Sequence, residues 1–190
     1  MLWHFSTNPT FVENNFLVSW DALQEGRYWV LLTSVFSHNM FLHLLINMYV
    51  LMSFGSLLEQ VLGPKRFLRF YLTAGIISSL THALASAFIL HEPGLPALGA
   101  SGAIAGLVLL FALMFPRQKL YLFGLIPLPA LGGALAFMCL DLFGLFEQAR
   151  GSGIPIGHGA HLGGALAGVI YYLFWIKPKW LSTAAIHVRT

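Results

Sequence analysis

The sequence predicts an all-α, polytopic membrane helix bundle of five spans, on two observations. Hydrophobic residues make up 57% of the 190 and charged residues only 9%, whereas a soluble domain spends about a quarter of its residues on Asp, Glu, Lys and Arg. Apolar stretches also recur at lengths suited to a hydrocarbon core of about 30 Å, which takes roughly 20 helical residues. They run over 41–62, 67–90, 100–115, 120–146 and 161–176.

The first and fourth stretches are long enough to cross without help. The second is the least uniform, because Thr73, Ser78, Ser79, Thr81, His82 and Ser86 interrupt it; such hydroxyls bond back to helix carbonyls, so the polarity does not forbid a span. The third and fifth are short, which a central position or an end below the membrane surface tolerates. The domain plan that follows is an outer-side interfacial region over 1–40, the bundle over 41–176 and a tail over 177–190.

Charge placement orients the bundle. Lys65, Arg66, Arg69, Arg117, Lys119, Lys177, Lys179 and Arg189 are eight of the ten basic residues, and they share one side if the spans alternate. By the positive-inside rule that side is the cytoplasm. The remaining segments carry Glu13, Asp21, Glu25, Glu92 and Glu147 against Arg27 and Arg150, so the N-terminus is expected outside and the C-terminus inside. The net charge of +3 therefore reports topology and not nucleic-acid binding.

Residues 1–40 read as neither a secretory signal nor a mitochondrial presequence, lacking a basic start with an apolar core and being poor in Arg and Ser. Phe11, Phe16, Leu17, Trp20 and Leu23 alternate with polar residues, a mix suited to a helix at the lipid–water boundary. The single Cys139 excludes an intrachain disulfide.

Chemistry enters at three places. Ser101, in Gly99-Ala100-Ser101-Gly102, opens the third span after Pro93, Gly94 and Pro96 have kept the chain turning. There it meets the free N–H groups and positive dipole end of a helix N-terminus. Small residues at this spacing also serve plain helix packing. His161, in Ala160-His161-Leu162-Gly163-Gly164, opens the last span from the same side, and a serine needs only a base to take its proton. Gly102 and Gly106 follow Ser101, and Gly164 and Gly168 follow His161, so the two helices can approach closely enough to join hydroxyl and imidazole. The third place is the start of the first span, where His43 and Asn47 lie four apart on one face beside His38. They could donate hydrogen bonds to a developing oxyanion. A metal site there lacks the third or fourth good ligand that zinc wants.

In their order and placement, the His-x-x-x-Asn of His43 and Asn47, the Gly-x-Ser-Gly of 99–102 and the Ala-His-x-x-Gly-x-x-x-Gly of 160–168 resemble the rhomboid intramembrane serine proteases. Similarity covers about 27–173 and is greatest to the presenilin-associated rhomboid-like branch and its bacterial relatives. The resemblance implies a serine endopeptidase with Ser101 as nucleophile and His161 as general base. It places His43, Asn47 and the Ser101 N–H around the oxyanion, with Gly99, Gly102, Gly164 and Gly168 as motif and packing positions. It implies transmembrane protein substrates in a lipid bilayer, with no cofactor, no metal and no nucleic acid. The chain is expected to lack the first span of the usual six-helix core and to sit in a bacterial cytoplasmic membrane with its active site toward the outer side.

Four residues after Ser101, where many bacterial members place a tyrosine against the histidine, this chain has Ala105. Asp141 in the fourth span invites a triad, but the family works with a dyad, and Asp141 is expected to cap a helix or bond a neighbour. His82 and His158 are expected to be structural or solvated, and Glu59 to pair with Arg66. The rival readings are a catalytically silent rhomboid-like membrane-protein binder, which generally loses the serine or histidine retained here, and a small transporter, whose inverted repeat is absent.

Overall fold

A computed structural model describes residues 8–122 and 126–178; the start of the expected interfacial region and all but the first two residues of the expected tail lie outside the described residues. The chain opens with three short helices, α1 (Pro9–Phe16), α2 (Trp20–Gln24) and α3 (Val30–Thr33), the last running into a tight turn over Ser34–Phe36. The expected boundary helix is thus broken into pieces, for local reasons. Asn8 caps α1 by accepting from the Phe11 N–H, Ser19 starts a new helix by accepting from the Ala22 N–H, and Gly26 turns the chain at φ 82°.

The bundle follows. Helix α4 (Phe41–Leu62) carries a widened turn over Leu51–Gly55 and ends at Gly63, whose φ of 79° reverses the chain into α5 (Pro64–Phe88). The Gly-Pro pair stops one helix and starts the next, since glycine tolerates the left-handed turn and proline is pre-set for a first helical position. Helix α6 (Ser101–Met114), the short third span, is the centre of the molecule: Leu107, Leu110 and Ala112 are fully buried. Its 14 residues cover about 21 Å at 1.5 Å each, so α6 does not reach both membrane surfaces. Helices α7 (Ala130–Ala149) and α8 (His158–Ile176) complete the set.

The fourth span does not begin at residue 120. An antiparallel hairpin of β1 (Lys119–Leu122) and β2 (Ile126–Pro129) comes first, with Lys119 opposite Pro129 and Leu122 opposite Ile126. Pro127 and Pro129 explain the difference, since proline lacks the N–H that a helix interior needs and its ring strikes the carbonyl four residues back. Hydropathy alone registers only that the segment is apolar. The last span starts earlier than expected, at His158, which puts His161 nearly one turn inside the helix.

Two arrangements position the site. First, α6 and α8 cross at their glycines: a Cβ on Gly106 would lie 2.6 Å from the Gly164 carbonyl oxygen, one on Gly168 would lie 2.6 Å from the Gly106 oxygen, and one on Gly164 would run into the Gly102 carbonyl. Second, the loop leading into Ser101 is pinned from several sides. Val18 and Ala97 exchange backbone hydrogen bonds of 3.0 and 2.8 Å, the Gly99 N–H donates to the Ser34 carbonyl at 2.9 Å, and His82 Nε2 donates to the Leu95 carbonyl at 3.1 Å. His82 is thereby structural.

Candidate active site

Ser101 is the first residue of α6, and no side chain caps that end. Its N–H is one of the donors that a helix start leaves without an intrahelical partner. Its Oγ lies 2.9 Å from Nε2 of His161 on α8. Across the glycine crossing, the two residues expected to meet do meet.

The other ring nitrogen of His161 is also held. Nδ1 donates to Oδ1 of Asp141 on α7 at 2.9 Å, and the same oxygen accepts from His158 Nδ1 at 2.7 Å. Asp141 is 3% exposed and both histidines 8%, so this is a closed polar cluster inside an apolar bundle. A carboxylate oxygen only accepts, so the proton of His161 sits on Nδ1 and the lone pair on Nε2 faces the Ser101 hydroxyl. A hydroxyl aimed at an imidazole lone pair can give up its proton and act as a nucleophile.

Of the two roles expected for Asp141, it bonds neighbours and does not cap a helix, and His158 is buried and not solvated; what the expectation did not include is that one of those neighbours is His161. Phe137, Asp141 and Gly144 are spaced four and three apart on α7 and share a face, as do His158 and His161 on α8. Gly144 leaves the space that the His158 ring fills, since a Cβ there would overlap it. The Phe137 ring lies 5.6 Å from that of His161 at 34°, so an aromatic side chain contacts the histidine from α7.

The His43 ring packs against Gly99, where φ is +110° and a Cβ would come within 2.7 Å of the imidazole. Only glycine serves both demands. His43 is half-buried and makes no hydrogen bond to a described residue. Asn47, 4% exposed, donates from Nδ2 to His38 Nε2 at 2.8 Å, and the same nitrogen accepts the Ala100 N–H at 3.4 Å. Burial, followed by the neighbouring His43, holds His38 below its ordinary value of 6.5 against the raising effect of a bond to the Phe36 carbonyl. A neutral His38 is what lets Nε2 accept. His38 thus ties Asn47 to the backbone just before Ser101, and the second Nδ2 hydrogen of Asn47 remains to be donated.

Asp141, His158 and His161 also offer ligand atoms within 4.8 Å of one another, the donor types that a divalent transition metal takes. Both Nδ1 atoms already bind the carboxylate, so an ion here would have to break the contact that orients His161. The expected Glu59–Arg66 pair is not among the ion pairs of the described residues.

Residues 25–178 match the family model described as the Rhomboid domain. The chain is 33% identical over 175 residues to RHOMBOID-like protein 12, mitochondrial, of Arabidopsis thaliana, covering 86% of this chain and 51% of that protein. It is 38% identical over 157 residues to presenilin-associated rhomboid-like protein A, mitochondrial, of Danio rerio, covering 77% and 38%. To presenilin-associated rhomboid-like protein, mitochondrial, of Homo sapiens it is 34% identical over 155 residues, covering 79% and 38%. The matched region covers only 38–51% of the length of these relatives. Their mitochondrial membership overturns the bacterial cytoplasmic membrane expected from the sequence. Hydropathy and basic bias report that a chain crosses a bilayer and which end carries the charge, but not which bilayer it is. A helical membrane bundle matched along most of its length by this family model and these relatives identifies the chain as a member of the rhomboid family.

Proposed function

We propose that this chain is an intramembrane serine endopeptidase that cleaves transmembrane segments of membrane proteins near the membrane face where Ser101 lies. The observation that carries the reading is the 2.9 Å contact between Ser101 Oγ and His161 Nε2, with the imidazole tautomer set by Asp141. In the mechanism, His161 Nε2 takes the Ser101 proton as Oγ attacks the scissile carbonyl carbon. The resulting oxyanion accepts from the Ser101 N–H, from Asn47 Nδ2 and from His43. His161 then returns its proton from Nε2 to the leaving amine, and a water, activated by the same nitrogen, hydrolyses the acyl-enzyme.

A helical substrate hides its peptide bonds, so segments with small or helix-destabilising residues near that membrane face fit the site best. Entry beside α7 and the 150–157 loop suits them, because α7 presents Leu140, Leu142 and Phe143 outward at 67%, 63% and 62% exposure.

The test is cleavage of a model transmembrane substrate by reconstituted protein. Ser101→Ala and His161→Ala should each abolish turnover without loss of folded protein, and the double substitution should be no worse than either single one, as for groups that act as a unit. Near wild-type turnover in Ser101→Ala would remove the protease reading and leave a silent membrane-protein binder.

A further inference from the structure

At the end of the bundle away from Ser101, α5 and α8 part to form a cavity of about 640 Å³, a volume typical of small-molecule sites. Near Ser101 the same two helices touch: a Cβ on Gly159 would lie 2.8 Å from the Ala85 methyl, and one on Gly163 would overlap Thr81. Towards the other end the Phe70 and Tyr171 rings meet at 4.8 Å and wedge the helices apart. One face of α5 lines the opening, with Arg66, Arg69, Thr73 and Ile77 at steps of three and four, and α8 contributes Ile170 and Trp175.

We propose that this cleft binds an anionic diacyl phospholipid, its phosphate on Arg66 and Arg69 and one acyl chain along the apolar wall beneath. Both guanidinium groups are exposed and have no ion-pair or hydrogen-bond partner among the described residues; Glu59, on the preceding helix, is not paired with either. Guanidinium forks match phosphate oxygens, and basic pockets between membrane helices take anionic headgroups. Trp175, half-exposed at the same level, is the aromatic type that settles at the headgroup boundary. The dimensions agree. From Arg66 to Ile77 the helix rises about 16 Å, close to the depth of one leaflet in a hydrocarbon core of about 30 Å.

The experiment uses delipidated protein in neutral detergent micelles, titrated separately with phosphatidylglycerol, phosphatidylcholine and inorganic phosphate while thermal unfolding is followed. Phosphatidylglycerol should raise the midpoint saturably, as a ligand of the folded state does, and the other two should not. In Arg66→Gln/Arg69→Gln the apparent affinity should fall about tenfold or more, while Lys65→Gln, outside the cavity lining, should match the wild type. Should the double substitution not fold, Ile170→Trp, which fills the apolar wall and keeps both arginines, should lose the same response. Equal shifts from phosphatidylcholine would mean general micelle stabilisation, a shift from inorganic phosphate would mean a simple anion site, and an undiminished response in the variants would place the lipid elsewhere. Each result overturns the proposal. Because the readout is binding, its failure leaves the protease reading untouched.

Discussion

Asp141 adds a third group to the Ser101–His161 pair. One of its oxygens serves two imidazoles, and Oδ2 is buried with no hydrogen-bond partner among the described residues. If it positions His161, Asp141→Ala should lower kcat about 10²-fold, within the 10²–10⁴ that a positioned acid–base group supplies, with KM for a transmembrane substrate unchanged. Asp141→Asn keeps an acceptor oxygen and should recover part of that loss. His158→Ala should cost less than tenfold, because the His161–Asp141 contact survives it. A fall in folded protein that parallels the fall in kcat would return Asp141 to a structural role. Removal of one preorganised oxyanion donor typically costs about 10² to 10³ in turnover, and Asn47→Ala should fall in that range with little change in thermal stability. His43→Ala should lose somewhat less, because other donors remain. Near-normal turnover in the double substitution would make both residues packing elements.

The part of the site that was legible in the sequence sits within single helices. Gly102 with Gly106, His161 with Gly164 and Gly168, and His43 with Asn47 each show steps of three or four, and the glycine crossing of α6 with α8 brings Ser101, next to Gly102, to His161. Asp141 and His158 were not legible, because their meeting depends on the rotation of α7 against α8 and on the absence of a side chain at Gly144. The hairpin before α7 was missed for another reason: hydropathy scores residues 120–129 as apolar whatever their backbone, although Pro127 and Pro129 mark a segment unfit for a helix interior. Gly144 allows a test at this scale. Adding a Cβ by Gly144→Ala overpacks the contact, a change that usually costs about 1–3 kcal/mol, and should lower the unfolding midpoint. His158→Ala vacates that space, so the two changes combined should destabilise less than the sum of each alone. Simple additivity would show that α7 and α8 are not in register at this point.

For the molecule as a whole, an odd number of spans puts the two ends of the bundle in different chemical settings. Ser101, His161, His43 and the 150–157 loop gather at one end, and Lys65, Arg66, Arg69, Arg117, Lys119 and Lys177 fall at the other if the helices alternate. The short α6 is the weak point of that plan, because about 21 Å of helix does not cross a core of about 30 Å, and a bundle in which α6 turned back would put 64–69 and 117–119 on opposite sides. Single cysteines in a Cys139→Ala background decide this without knowledge of the native membrane. Glu13→Cys and Arg150→Cys mark the Ser101 end, and Lys65→Cys and Arg117→Cys mark the basic end; all four positions are exposed. In sealed proteoliposomes treated with an impermeant maleimide, insertion in either direction labels Glu13→Cys and Arg150→Cys to one common fraction, and Lys65→Cys and Arg117→Cys to its complement. Labelling of Arg117→Cys at the fraction of Glu13→Cys would show that α6 does not cross, and the five-span bundle would fail with it.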